Sequence, residues 1–116
     1  MKIDSVCENR TFQRAYRKGK KYAGKYIVIY DLKKRPDSGT RLGLTVTKGR
    51  GGAVVRSRVR RILRAAWRSV LSRRTAARGH DVIIVARDAS VNAKSTEIAP
   101  ELETGLCSLG VLLCEE

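Results

Sequence analysis

LGLTVTKGRGGAVVRSRVRRILRAAWR, residues 42–68, decides how this chain is read. It opens on a short alternating apolar run, passes through a glycine-rich turn and enters a long helical pattern dense in arginine. Leu42, Leu44 and Val46 recur at the two-residue period of a strand, so residues 41–47 are expected as one. At about 100° per residue, Val55, Val59, Ile62, Leu63, Ala66 and Val70 share one face of a helix predicted over residues 53–77. Arg56, Arg60, Arg64 and Arg68 recur every four residues beside that face. Arg61 lies alongside them, Arg58 at the opposite edge and Trp67 at the border of the two faces.

Between Asp37 and Asp81 there is no acidic residue. A charged helix face that merely meets solvent usually mixes signs, with carboxylates pairing lysines or arginines one turn away. This helix has no such acid, and each like-charge pair costs a few tenths of a kcal/mol. Arginine also dominates, and its planar fork matches phosphate oxygens two at a time. The stripe therefore reads as an anion-binding surface. Gly49, Gly51 and Gly52 before it fit a flexible connection equally with a backbone that meets a phosphate at the helix N-terminus. Their spacing is not that of a nucleotide-binding P-loop.

The whole chain points to a nucleic acid. Its 116 residues make one domain, 1–116, with a modest core. A net charge of +14 opposes compaction and calls for a polyanionic partner. No apolar run approaches the roughly 20 residues that span a bilayer, and the N-terminus lacks the apolar stretch of a signal peptide. Cys7, Cys107 and Cys114, odd in number and without a CxxC pair, are expected as reduced cytosolic thiols.

Working outward, Asn9 or Thr11 is expected to cap a first helix through Lys18, ended by Gly19, with Phe12, Ala15 and Tyr16 on its apolar face. Residues 25–32 read as a strand with Tyr26, Val28 and Tyr30 on one face and Ile27 and Ile29 on the other. A turn over residues 33–39 leads to the strand at 41–47, expected antiparallel to it. His80 is placed in a turn, with a loop or capping role. Val82 to Ala86 suits a strand covered on both faces. Ser95 or Thr96 is expected to cap a last helix, tolerating Pro100 only near its start. Ile98, Leu102, Leu106, Leu109 and Leu113 form its apolar stripe, weakened by Gly105 and Gly110. That end carries acids and no Lys or Arg after Lys94, so it is expected to pack on the sheet.

The segment RLGLTVTKGRGGAVVRSRVRRILRAAWR resembles the signature of the bacterial ribonuclease P protein subunit. Gly43, Lys48, Gly51, Ala53, Val54, Arg56, Arg58, Arg60, Arg61 and Arg64 fall on that signature, and the likeness runs from about Asn9 to Arg87. Ser57 stands where the family usually has Asn, and Lys48-Gly49 replaces paired lysines.

The resemblance implies an α/β fold, a two-layer α-β sandwich of order α-β-β-β-α-β-α. It adds a short strand near residues 20–22 and a left-handed βαβ crossover around the arginine helix. It implies an accessory subunit of an endoribonuclease that removes the 5′ leader of precursor tRNA in the cytoplasm. The chemistry then belongs to ribonuclease P RNA and its magnesium ions, with no catalytic residue and no cofactor or metal on protein side chains. Arg50, Arg56, Ser57, Arg58, Arg60, Arg61, Arg64 and Arg68 would contact the catalytic RNA. Phe12, Tyr16 and Tyr30, with Lys25 and Lys48, would line a cleft for the leader, although Phe12 and Tyr16 taken alone read as ordinary core. A structural ribosomal or assembly protein would share the arginine helix without needing the cleft. A membrane-surface protein is a third reading, which the arginine bias and the flanking sheet disfavour.

Overall fold

The computed structural model describes residues 9–33, 40–46, 52–75 and 79–112. Its organising element is the run HDVIIVA, whose residues are buried at every position but Val85. A strand apolar on both faces needs cover on both sides, and the remaining elements supply it.

In chain order the elements are α1 (Asn9–Lys18), β1 (Lys20–Ala23), β2 (Ile27–Lys33), β3 (Arg41–Thr45), α2 (Ala53–Arg73), β4 (His80–Ala86), a 3-10 turn (Asp88–Asn92) and α3 (Ser95–Leu109). The strands form one sheet in the order β1-β2-β4-β3. β1 and β2 pair antiparallel, as do β2 and β4, while β3 and β4 are parallel neighbours joined through α2. β3 does run opposite to β2, but the two do not pair. β4 takes the place between them, because its continuous apolar side chains belong at the buried centre.

Strand alternation sorts the core into two parts. Ile27 and Ile29 of β2, Val82, Ile84 and Ala86 of β4, and Leu42 and Val46 face α2 and α3. There they meet Val59, Leu63, Ala66, Trp67 and Val70, together with Ile98, Leu102, Leu106 and Leu109. The sheet is thus one layer of the α/β sandwich and the α2–α3 pair the other. α1 crosses the sheet's outer face, where Ala15, Phe12, Tyr30, Leu32 and Val85 gather around Ile83. Val55 and Ile62 are partly buried as the helical pattern suggests. Trp67, expected at a border, is only 3% exposed, because α3 covers its flank of α2 as well as the sheet.

Three other expectations change. His80 is not in a turn but opens β4, and it is buried with Nδ1 2.7 Å from Asp31 Oδ1. A carboxylate only accepts, so Nδ1 carries the hydrogen. The residue flanking α3 is Lys94, one before the expected cap, and Glu97 Oε1 accepts its N–H at 3.3 Å. Pro100 stands inside α3 rather than at its start. Gly105 does more than weaken the helix. A Cβ there would come 2.6 Å from Ile29 Cδ1 and 2.7 Å from Tyr22 Cδ1, so its absence lets α3 lie close on the sheet.

α3 also holds the β1–β2 turn. The Glu101 carboxylate accepts the backbone N–H groups of Lys25, Tyr26 and Ile27. Removing it leaves three donors on a partly buried turn without their acceptor, at a cost of about 1–3 kcal/mol. Glu101→Ala should therefore lower unfolding free energy by that amount in a urea titration. A midpoint equal to wild type would show that solvent replaces the carboxylate.

Candidate nucleic-acid interface

α2 starts without a side-chain cap. Gly52 precedes it with φ −72° and ψ 178°, and no side chain accepts from the first turn. The helix N-terminus thus presents backbone donors and a partial positive charge. Val54 is 84% exposed there, beside Ser57, Arg58 and Arg61, which line a shallow hollow with it. Apolar surface left bare within a ring of arginines is unusual for a simply solvated helix.

Burying Val59, Leu63 and Ala66 against the sheet turns the arginine file outward. Arg58, Arg61, Arg64 and Arg68 are exposed and Arg56 and Arg60 half-buried, with Ser57 exposed among them. Among the described residues, Arg60, Arg61, Arg64 and Arg68 meet no carboxylate. Arg56 Nε is buried without a partner. Arg58 is held in place, its Nη2 donating to Val91 O at 2.7 Å across to the 3-10 turn. Two arginines of the same acid-free stretch serve the fold instead. Arg41 makes a two-pronged contact with buried Asp81, at 2.9 Å through each nitrogen. Arg74 lies 3.7 Å from Glu103 and 3.3 Å from Cys107 Sγ, tying the end of α2 to α3. Arg50, at the glycine turn, lies outside the described residues.

The second feature is a cluster of aromatic rings at α1, on the sheet's outer face. Tyr16 and Tyr30 meet edge to face, with ring centroids 4.9 Å apart and an interplanar angle of 71°. Tyr16 is 40% exposed, and its hydroxyl lies 3.0 Å from Thr45 Oγ1. Phe12 settles over Gly43, where a Cβ would come 2.9 Å from Phe12 Cζ and 2.7 Å from Ile83 Cδ1. Glycine on β3 is what admits the ring. The structure thus brings Phe12, Tyr16 and Tyr30 to one face of the sheet, with Phe12 and Tyr30 half-buried and Tyr16 exposed.

Lys25 is placed differently. Its Nζ sits 5.3 Å from the Tyr26 ring centroid, and the Tyr26 hydroxyl reaches Glu97 of α3. Lys48 lies outside the described residues. The cation beside the cleft that pattern reading missed is Lys21, whose Nζ is 6.0 Å from the Tyr30 centroid. Lys21 is the cross-strand partner of Tyr30. Only the β1–β2 register places it there, although its position in a lysine run before the strand was visible. Thr45 was missed for the same reason.

No group of three or more His, Cys, Asp or Glu among the described residues could hold a metal ion. No described helix is long and apolar enough to cross a membrane. The arrangement suits a flexible polyanion, with phosphates on the arginines and unstacked bases on the exposed rings.

The chain is similar to known proteins in sequence and fold. The Ribonuclease P family model matches residues 2–110. A ribonuclease P protein component of Clostridium botulinum (strain 657 / Type Ba4) is 33% identical over 96% of this chain and 98% of its own length. The one from Clostridium acetobutylicum is 32% identical over 100% of this chain and 97% of its own. Among solved structures, the Staphylococcus aureus RNase P protein superposes with a TM-score of 0.79 at 28% identity, covering 97% of this chain and 100% of that one. The Thermotoga maritima RNase P protein shares the fold, with a TM-score of 0.74 at 21% identity over 91% of this chain and 94% of that one.

If the arginine file takes phosphates, each contact releases counterions. Arg61→Ala and Arg64→Ala should each reduce the slope of log affinity against log salt for structured RNA by about one unit. Both residues are exposed on α2, so the melting temperature should stay within a few degrees. An unchanged slope would mean that the file is only hydrated.

Proposed function

The chain belongs to the ribonuclease P protein family, and on that premise we propose that it binds ribonuclease P RNA and the 5′ leader of precursor tRNA, assisting endonucleolytic removal of the leader in the cytoplasm. The observation that carries this reading is a pairing of surfaces. Among the described residues, a file of arginines without carboxylate partners lies on α2, and the partly exposed rings of Tyr16 and Tyr30 meet at α1 on the other side of the sheet. A protein that only coats structured RNA has use for the first surface and none for the second.

In this reading α2 docks on the catalytic RNA. Arg56, Arg58, Arg60, Arg61, Arg64 and Arg68 neutralise its phosphates, with Arg50 contributing from the turn. Ser57 offers a hydroxyl between two arginines. Arg58, already tethered to Val91 O, loses little side-chain entropy on binding. The leader lies single-stranded along α1 and the sheet, with bases against Phe12, Tyr16 and Tyr30. Stacking on aromatic faces tolerates any base and is worth about 1–3 kcal/mol each. Lys21 supplies charge beside Tyr30, and the resemblance assigns Lys48 to the leader as well. Lys25, placed toward α3, serves a more distant part of the backbone. The protein's own residues bind, orient and screen charge. Magnesium ions held by the RNA, not by protein side chains, would supply the chemistry of phosphodiester cleavage.

Adding this protein to a bacterial ribonuclease P RNA at low magnesium tests the proposal directly. Leader removal from precursor tRNA should be strongly stimulated, and no stimulation with folded protein and active RNA would overturn the reading. Tyr30→Ala separates the two surfaces. It should weaken binding of leader-bearing precursor by about tenfold, the loss of one stacking contact. Mature tRNA binding should hardly change, and equal losses for both would remove the cleft assignment.

A further inference from the structure

The sheet has a second polar cavity, apart from the aromatic cleft. It lies where β2 ends and β4 begins, and Lys18, Lys20, Lys33, Asp31 and His80 line it. Leu109 and Gly110, at the end of α3, close one side.

The strand register builds this cavity. Lys20 pairs across β1–β2 with Asp31, and Lys33 pairs across β2–β4 with His80. Lys18 arrives from the end of α1 because Gly19 packs tightly there. A Cβ on Gly19 would come 2.5 Å from Ala15 O and 2.9 Å from Asp31 O, so only glycine lets α1 turn directly into β1 while lying close against β2. Tyr30 and Asp31 are adjacent on β2 and point to opposite faces, and the cavity lies at the strand's end, where Leu32 also lines it and Tyr30 does not.

The chemistry favours an oxyanion. Three lysines stand against one carboxylate, and that carboxylate is already engaged by His80 Nδ1 at 2.7 Å. None of the three lysines pairs with Asp31 or with any other carboxylate among the described residues. Because Nδ1–H is given to Asp31, the cavity-lining imidazole has Nε2 left over, and it has no protein partner among the described residues. The negative end of α3 is muted, since Gly110 N–H caps Cys107 O and Val111 N–H caps Leu106 O. A metal cation is disfavoured by the three ammonium groups.

We infer that this cavity binds a phosphate group, gripped by Lys18, Lys20 and Lys33 and hydrogen-bonded to His80 Nε2. Asp31 is the positioning residue, fixing the ring so that Nε2 faces the ligand. Nε2 has a lone pair for the hydroxyl of a protonated phosphate, free or at the end of a strand. The phosphate is either the free ion or one carried by an RNA strand, and the inference does not depend on the RNA assignments made for α2 and α1.

His80 is the chain's one histidine, so its ring resonances report on the cavity without ambiguity. Titrating inorganic phosphate into the full chain should shift the His80 ring signals saturably, while sodium chloride at matched ionic strength should not. Lys20→Gln and Lys33→Gln should each weaken the phosphate response by about tenfold, the loss of one charge-assisted contact. Both lysines are exposed, so folding is retained. A single-stranded RNA that displaces phosphate at His80 identifies the strand as its bearer. Failure to displace it assigns the free ion. No saturable shift in the wild-type chain, an equal shift with chloride, or a response unchanged in both lysine variants would overturn the site.

Discussion

The structure depends on covering β4 from both sides. Val82, Ile83 and Ile84 are all fully buried and point alternately to the two faces of the sheet. A single helical layer would leave Ile83 in water, at about 1.5–3 kcal/mol. α1 exists to cover that side, and α2 with α3 cover the other. The functional surfaces are what this arrangement leaves over. α1 is only ten residues long and covers part of its face, so Tyr16 and Tyr30 stay open beside it. α2 spends its apolar stripe on the sheet and turns arginine to the outside.

Charge is distributed by the same logic. The chain has eleven acidic residues against twenty-five Lys and Arg. Among the described acids, Asp31, Asp81, Glu97, Glu101 and Glu103 all bond to groups that hold elements together. Carboxylates spent on backbone N–H groups and on Arg41, Arg74 and His80 are not left to screen α2. Among the described residues, the lack of carboxylate partners on that arginine file is thus a consequence of where these acids were needed. Like charges along α2 strain the free protein by a few tenths of a kcal/mol per pair, and a polyanion relieves that strain on binding.

Patterns within one element were legible in the sequence. The alternation in β2, the α2 stripe and the buried run of β4 each follow from neighbours in sequence, and the elements came out accordingly. What could not be read depends on pairing between elements. β4 inserting between β2 and β3 decides that His80 faces Asp31, the β1–β2 register decides that Lys21 meets Tyr30, and no local period encodes either contact. Trp67 looked marginal on α2 alone because the helix that buries it lies some thirty residues later. Gly105 read as a weak point for the same reason, and Gly43 only as a position of the family signature. Each is a place where a ring or an aliphatic side chain from another element needs the space a Cβ would fill.

β2 shows how one strand can serve several purposes. Ile29 belongs to the core, Tyr30 to the aromatic cleft, and Asp31 to the lysine-lined cavity. Alternation keeps Tyr30 and Asp31 on opposite faces, while the burial of Ile27 and Ile29 fixes the register that puts them there. Slipping β2 by one residue would send the isoleucines toward α1 and Tyr30 into the core, and would break the Asp31–His80 contact at the same time. The aliphatic core therefore enforces the placement of side chains it never touches, and both polar surfaces inherit their geometry from the packing of two isoleucines.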